Sequence, residues 1–355
     1  MQKINVGIFG GSGYMGGELL RLLFSHPNVN IKWVTSRKAK FLNEIHPNFV
    51  DKNMELSDPE ANLEHCDIVF FATPGGIASS KSPEFLKNGA KIIDLGSDFR
   101  LKNKEDWERL YGQKHPNWNL VEEAVYGIPE LNREVIKNSR VIANPGCFSS
   151  AAILGLAPLF SSNISFDRDN VSITGISGTA GMGMEVTKES HHPEITNNVL
   201  AYNMIDHRHS YEIEEVLSGL SGDKLKAHFS PVYVPISRGI SSISSLYYDG
   251  EISQDDLNKV YEEFYKNEEF VEFHLKESKE NKSWNVEPYP NLSTTSATNM
   301  CKLTAKVDSK RKRIMVYSVL DSVGKGGAHV AVQNMNLISN IPENTGLTKI
   351  GIHPY

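Results

Sequence analysis

The sequence predicts an α/β protein: a doubly wound parallel sheet in the first part of the chain, followed by an α+β domain. Three observations carry this. Short apolar runs at 4–9, 31–35, 67–72 and 91–95 alternate with helical patterns. A cluster of glycines at 10–17 lies between the first run and the first helix. After residue 146 the β-like runs lengthen, at 171–176, 227–236, 241–248, 305–307 and 313–319, and alternate with helices less regularly. A chain of 355 residues exceeds what one hydrophobic core commonly supports, so two domains are expected. They are residues 1–146, completed by the C-terminal segment 325–355, and residues 147–324.

The elements follow in order. In the helix predicted over 16–24, Leu19, Leu20, Leu22 and Leu23 form a buried stripe. Strand, helix and strand repeated in this way call for right-handed crossovers in a parallel sheet. Residues 101–135, rich in charge, aromatics and proline, predict irregular structure wrapped on that sheet. A fifth strand at 140–143 ends at Asn144-Pro145-Gly146, and 151–160 reads as a helix. Further helices are expected at 253–266 and 327–338. The charged stretch 268–282 and the Ser/Thr-rich stretch 293–298 predict surface loops.

Composition narrows the function classes. With 37 Lys+Arg against 43 Asp+Glu the formal net charge is −6, which offers no basic footprint for nucleic acid. Hydrophobic residues at 39% and charged residues at 23% describe a soluble globular chain. No apolar run approaches the roughly 20 residues that cross a bilayer, and the start, MQKINVGIFG, lacks a signal-peptide layout. Three scattered cysteines, Cys66, Cys147 and Cys301, make neither a disulfide framework nor a zinc cluster. A reducing, cytoplasmic setting is expected, with one thiol kept for chemistry.

The glycine cluster carries the first chemical signal. Gly10, Gly13 and Gly16, with Gly11, Ser12, Tyr14 and Met15 between them, stand where a Rossmann-type unit turns from strand to helix and binds a dinucleotide. There, glycines let the backbone approach pyrophosphate, and the helix N-terminus favours its charge. The second strand ends in Thr35-Ser36-Arg37-Lys38 in place of the acidic residue that would bind the ribose of NAD. Hydroxyl and cationic groups suit a 2′-phosphate, so NADP is the expected cofactor; a solvated basic turn would carry the same residues.

The second signal is Cys147, between Asn144-Pro145-Gly146 and an apolar helix. Unpaired N–H groups and the dipole at a helix start stabilise a thiolate. Cys66 abuts an apolar strand and reads as a core thiol, and Cys301 has no comparable turn. Histidines that would serve the thiol stand at His207 and His209, with Glu212 three residues further to orient an imidazole. Surface histidines near a helix start would look the same by spacing. No ligand set completes a metal site.

Taken together, these motifs resemble the N-acetyl-gamma-glutamyl-phosphate reductase family, within the wider group that includes aspartate-semialdehyde dehydrogenase. The matching pieces are GIFGGSGYMGGELLRLL (7–23), TSRK (35–38), FATPGG (71–76), DLGSDFR (94–100), YGIPELNR (126–133), ANPGCFSSAAILGLAPL (143–159), SGTAG (177–181), HRHSYEIE (207–214), VPISRGI (234–240) and AVQNMNL (331–337). The resemblance implies a Rossmann domain plus a catalytic and oligomerisation domain, a homo-oligomer (dimer or tetramer), and NADPH-dependent reduction of an acyl phosphate to an aldehyde. It implies Cys147 as nucleophile and His207 and His209 as the histidine motif. Gly10 to Gly16 would hold pyrophosphate, Ser36, Arg37 and Lys38 the 2′-phosphate, and Thr73, Pro74 and Gly75 would lie near the nicotinamide. Ser177 and Gly178 would meet substrate. Arg100 and Arg238 are candidate anion clamps by guanidinium chemistry, and structural ion pairs would use the same residues.

The chain departs from the family at Tyr211, where many members have proline, and in DSVGKGGAH (321–329), with Ser322, Gly324 and His329 substituted. The block ESHHPEITNNVLAYN (189–203) is similar to a branch acting on substrates linked to an acidic amino-group carrier protein, which makes a carrier-linked glutamyl or aminoadipyl phosphate the alternative substrate. A catalytically silent dinucleotide sensor is the alternative of another class; it would need neither the cysteine nor the histidines.

Overall fold

The computed structural model describes residues 3–275 and 290–352. The chain divides into two units: residues up to Gly146 together with Gly327–Leu347, and Cys147–Gly326 together with the chain from Thr348.

In the first unit six strands form one parallel sheet: β1 (Ile4–Phe9), β2 (Val29–Thr35), β3 (Ile68–Phe71), β4 (Lys91–Asp94), β5 (Val125–Tyr126) and β6 (Val141–Ala143), in the order β2-β1-β3-β4-β6-β5. The helices are α1 (Tyr14–Ser25), α2 (Ile77–Lys87), α3 (Lys104–Tyr111), α4 (Asn119–Glu123), α5 (Pro129–Lys137) and the terminal helix His329–Ile338. Strand residues alternate between the two faces. Phe70 packs with Val6 and Ile8 against Leu19, Leu20 and Leu23 of α1 and against Ala331, Val332 and Met335 of the terminal helix. Val69 and Phe71 pack on the opposite side with Ala78, Leu86, Leu120 and Val121. Two separate cores, one on each face, are what the doubly wound reading requires.

Residues 101–135, expected to be irregular, hold α3, α4 and most of α5. Their ends are fixed by local chemistry rather than by a long apolar stripe. The Asn103 side chain accepts the Asp106 N–H at 3.1 Å, Gly112 ends α3 in the left-handed region at φ 65°, and Trp107 is the one fully buried anchor of α3. Helix α2 carries no apolar periodicity because small polar residues, Ser79 and Ser82, face the core side and are buried.

The second unit is built on a mixed seven-stranded sheet of β7 (Val171–Ser177), β8 (Leu200–Ala201), β9 (Ala227–Tyr233), β10 (Ile240–Tyr247), β11 (Val271–Phe273), β12 (Cys301–Asp308) and β13 (Arg313–Leu320). Their order is β11-β12-β13-β10-β7-β9-β8, with parallel pairs β7–β9 and β11–β12 and antiparallel pairs elsewhere. Helices α6 (Cys147–Phe160), α7 (His192–Ile195), α8 (Arg208–Ser221) and α9 (Gln254–Tyr265) complete it. Every residue of α6 after Cys147 is buried, as an all-round apolar helix must be. Three hydroxyls from other elements donate to its carbonyls: Tyr261 to Gly155 at 2.8 Å, Ser318 to Ala151 at 2.7 Å, and Tyr265 to Leu154.

Three expectations are corrected here. The charged stretch 268–282 contains β11, hydrogen-bonded along β12, and its remainder from 276 lies outside the described residues. The stretch 293–298 is not a surface loop: Thr295, Ser296 and Thr298 are buried. Their neighbourhood is a short 3-10 turn, Leu292–Thr295, in which Thr295 donates to Leu292 O at 2.7 Å and Thr298 to Thr295 O at 2.8 Å, so the hydroxyls need no water. The segment 325–355 does not belong wholly to the first unit. Beyond Leu347 the chain joins the second, where Thr348 O accepts the Asn299 N–H at 3.0 Å and the Ile352 N–H donates to Ser296 O at 3.3 Å. Among the described residues no helix is long and apolar enough to cross a membrane.

Candidate active site

In the first unit the glycine turn joins β1 to α1. Gly10 sits at φ 83°, and a Cβ there would lie 2.3 Å from Ala72 O; at Gly16 it would lie 2.4 Å from Gly10 O, and at Gly11 2.1 Å from a Val34 methyl. Backbone therefore crosses backbone here, and only glycine permits it. A Cβ at Gly13 would meet nothing within 4 Å, and α1 begins at Gly13 without a side-chain cap. Open space over an uncapped helix start fits a pyrophosphate. Of the other predicted residues in the turn, Tyr14 is exposed and Met15 leans on the core. At the end of β2 the Ser36 hydroxyl accepts the Lys38 N–H at 3.0 Å, and exposed Arg37 pairs with Glu60 at 3.1 Å.

The loop 73–76 after β3 is fixed from outside. Asp98 accepts the Gly76 N–H at 2.7 Å and both the N–H and hydroxyl of Ser79 at 2.8 Å, so it caps α2 from a distant position. Gln113 donates to Gly75 O at 3.0 Å. Pro74 is exposed, while the Thr73 hydroxyl is buried with no hydrogen-bond partner among the described residues and would suit a ligand amide. Asp98 lies inside DLGSDFR, yet its capping role had no local signal. Next to it, burial and the Asp98 charge push the Asp94 carboxyl up to about 8. Arg100, expected at substrate, is buried and donates through Nε to Asn144 O at 2.8 Å and through Nη2 to Leu95 O at 2.9 Å. It braces the turn that precedes Cys147.

The second unit gathers the remaining candidates. Cys147 is the first residue of α6 and the partly exposed one of the three thiols; Cys66 and Cys301 are fully buried, and burial pushes Cys66 up to about 12. A Cβ on Gly326 would fall 2.8 Å from Cys147 Cβ, so a glycine is required beside the thiol. That glycine is set by Asp321, whose carboxylate accepts N–H groups of Val323, Gly324 and Ala297 at 3.0, 3.2 and 2.6 Å. Arg238 grips the same carboxylate in bidentate fashion, Nε to Oδ1 at 3.0 Å and Nη2 to Oδ2 at 2.7 Å.

Phe148 fills space left by Gly175, where a Cβ would clash at 2.6 Å, and stands edge-on to both His207 and His209, with ring centres 6.2 and 5.9 Å away. His207 is the N-cap of α8, and its Nδ1 accepts the His209 N–H at 3.2 Å, so its proton resides on Nε2. Burial, with Arg208 adding to it, pushes His207 down to about 4. His209 Nε2 lies 3.8 Å from Glu212 Oε1, one helical turn on, and the other oxygen of this buried carboxylate accepts the Ser149 hydroxyl at 2.8 Å. Two residues that sequence reasoning missed close the group. The rings of Tyr202 and Tyr233 stack at 4.4 Å, Tyr202 is edge-on to His207, and their phenols hydrogen-bond each other. Burial first, and the nearby Cys147 as a smaller cause, raise both phenols, so both stay protonated. The loop SGTAG lies beside them: Ser177 donates to Gly178 O at 2.9 Å, Gly178 packs on the Arg238 backbone, and a Cβ at Gly181 would come within 3.6 Å of the Tyr233 hydroxyl.

The depressed His207 titration predicts a pH signature. Between pH 6.5 and 4 the unfolded imidazole takes a proton that the folded one refuses, so this residue's contribution to stability is present above 6.5 and is lost as pH falls. Thermal melts should show the wild-type Tm falling more steeply over that window than the Tm of His207→Asn, which keeps a capping acceptor. Parallel slopes would reject a neutral buried His207.

Known proteins match both units of the chain. Residues 5–139 match the semialdehyde dehydrogenase NAD binding domain, and residues 147–322 match the semialdehyde dehydrogenase dimerisation domain. An N-acetyl-gamma-glutamyl-phosphate reductase of Methanosphaera stadtmanae is 37% identical over the full length of both chains. One from Nitrosospira multiformis is 39% identical, covering 99% of this chain and all of the relative. The chain belongs to the N-acetyl-gamma-glutamyl-phosphate reductase family. Solved structures extend the fold of this reductase further. Aspartate semialdehyde dehydrogenase II of Vibrio cholerae aligns with a TM-score of 0.67 at 17% identity, covering 96% of this chain and 99% of its own. The enzyme of Candida albicans, solved with NADP, aligns at 0.68 with 15% identity over 96% of this chain and all of its own. Among the described residues of the reductase, no group of three or more His, Cys, Asp or Glu is placed to hold a metal.

Proposed function

We propose that this protein uses NADPH to reduce N-acetyl-γ-glutamyl phosphate to its semialdehyde, releasing phosphate, a step of arginine biosynthesis. The observation that carries the reading is Cys147, an accessible thiol opening a buried helix in the unit that also holds the two histidines and the two phenols. At the start of α6 the thiol is ionised most readily. Its sulfur attacks the acyl carbon, the C–S bond forms, the C–O bond to phosphate breaks, and a thioester remains. Bound NADPH supplies the hydride that takes the thioester carbon to the aldehyde level. Tyr202 donates within the phenol pair, which leaves the Tyr233 O–H and the Nε2–H of His207 as donors for negative charge developing on the carbonyl oxygen. His209, oriented by Glu212, takes the thiol proton at the start and returns it when the C–S bond breaks. Arg238, with Nε and Nη2 already held by Asp321, acts by fixing the Asp321 loop and the Ser177-Gly178 turn beside which the substrate would lie. Self-association is assigned to the second unit, whose family match is a dimerisation domain.

The deciding experiment is the phosphate-dependent reverse reaction with purified protein and NADP. N-acetylglutamate semialdehyde should be turned over faster than its aminoadipate homologue or carrier-linked forms; preference for either of those would replace the substrate assignment. For the cofactor, Arg37→Ala should weaken NADPH by about tenfold, the loss of one charge-assisted contact, and leave NADH nearly unchanged. Equal weakening of both would remove Arg37 from the 2′-phosphate.

A further inference from the structure

We propose that His46 is a positioning residue of the dinucleotide turn, holding the Gly11 peptide away from the pyrophosphate; this rests on the cofactor reading above. His46 is buried, between two short 3-10 turns, Leu42–Glu44 and Pro47–Phe49. Its Nε2 lies 2.8 Å from Gly11 O. A carbonyl only accepts, so the ring nitrogen carries the proton and donates. The N–H of the same residue, Gly11, donates to Thr35 O at 3.2 Å. Both polar ends of Gly11 are therefore tied to protein, at the one turn where a carbonyl facing a ligand phosphate would repel it. The N–H groups at the uncapped start of α1 are left for the anion.

A second observation says the contact is built. Helix α1 carries two consecutive glycines, Gly16 and Gly17, which disfavour a helix interior more than any residue but proline. Gly16 is explained by the crossing over Gly10 O. Gly17 has a different reason: a Cβ there would lie 2.6 Å from His46 Cε1 and 2.9 Å from its Nδ1. The helix gives up a side chain to seat the imidazole against it. Edge-on Phe49, 5.9 Å between ring centres, holds the ring from another side.

Titrations with NADPH and with adenosine 2′-monophosphate, which lacks the pyrophosphate, test this. His46→Leu keeps volume and removes the donor; it should raise the NADPH dissociation constant about tenfold and leave the 2′-monophosphate within about twofold. His46→Gln, with a donor of similar reach, should recover most of the NADPH affinity. Gly17→Ala, which displaces the ring without touching its chemistry, should reproduce the selective loss. Unchanged NADPH binding in His46→Leu, equal loss of both ligands, or no recovery with glutamine would each overturn the assignment. Failure of the wild-type protein to bind NADPH would instead overturn the cofactor reading on which it stands.

Discussion

Cys147→Ser should lower reductase turnover by at least about 10³-fold while NADPH still binds. A serine hydroxyl at the same point keeps the size and the helix-start dipole but does not ionise near neutral pH, so the thioester is lost and little else changes. The substitution is conservative for folding: Cys147 is the least buried residue of α6, and the helix is held by hydroxyl donors at Ala151, Leu154 and Gly155, away from the first turn. Cofactor titration and single-turnover acylation, measured on the same preparation, check it. Phosphate release in the absence of NADPH should disappear with the sulfur. Retained turnover within tenfold of wild type would remove Cys147 as nucleophile, and with it the chemistry proposed for the second unit.

His209→Ala should lower kcat by about 10²- to 10⁴-fold with little change in NADPH affinity, the range typical for loss of an acid–base group. The geometry separates its role from that of its neighbour. His207 is an N-cap with its Nδ1 already accepting a backbone N–H, and burial keeps it uncharged. His209 faces a buried carboxylate that Ser149 helps to fix. Glu212→Gln should therefore act through His209: kcat falls by less than in His209→Ala, and the acidic limb of the pH–rate profile moves to lower pH because a neutral amide no longer favours the imidazolium. An unmoved limb would detach Glu212 from the acid–base group. A larger effect at His207 than at His209 on kcat would reverse the two assignments.

The parts of this architecture with strong periodicity or local chemistry are readable in the chain. The run 4–9, the leucines of α1, the glycine turn and the helix start at Cys147 all announce themselves, because each is decided by neighbours in sequence. What escapes is decided at a distance. Asp98 caps α2 from 22 residues away, and nothing near either residue advertises the pairing. Tyr202, just after β8, and Tyr233, the last residue of β9, are brought together only by strand pairing. Arg238 and Asp321 look like two ordinary charges until β10 and β13 are laid side by side. Arg100 shows the opposite limit: its chemistry suits an anion, but burial beside two carbonyls commits it to the backbone. Thr295, Ser296 and Thr298 are polar by composition and buried by virtue of their own hydrogen bonds.

The interruption of the first unit by the second bears on how the chain is made. All six strands of the parallel sheet have been synthesised by Ala143, but Ala331, Val332 and Met335 follow only after Cys147–Gly326 of the second unit has been translated. Until then one face of that sheet, with Val6, Ile8, Phe70 and Ile142, has the leucines of α1 over it but lacks the share of its cover that the terminal helix supplies. Vectorial synthesis thus leaves apolar surface on the nucleotide-binding half while the second unit is being made, and that surface is what a holdase chaperone would shield.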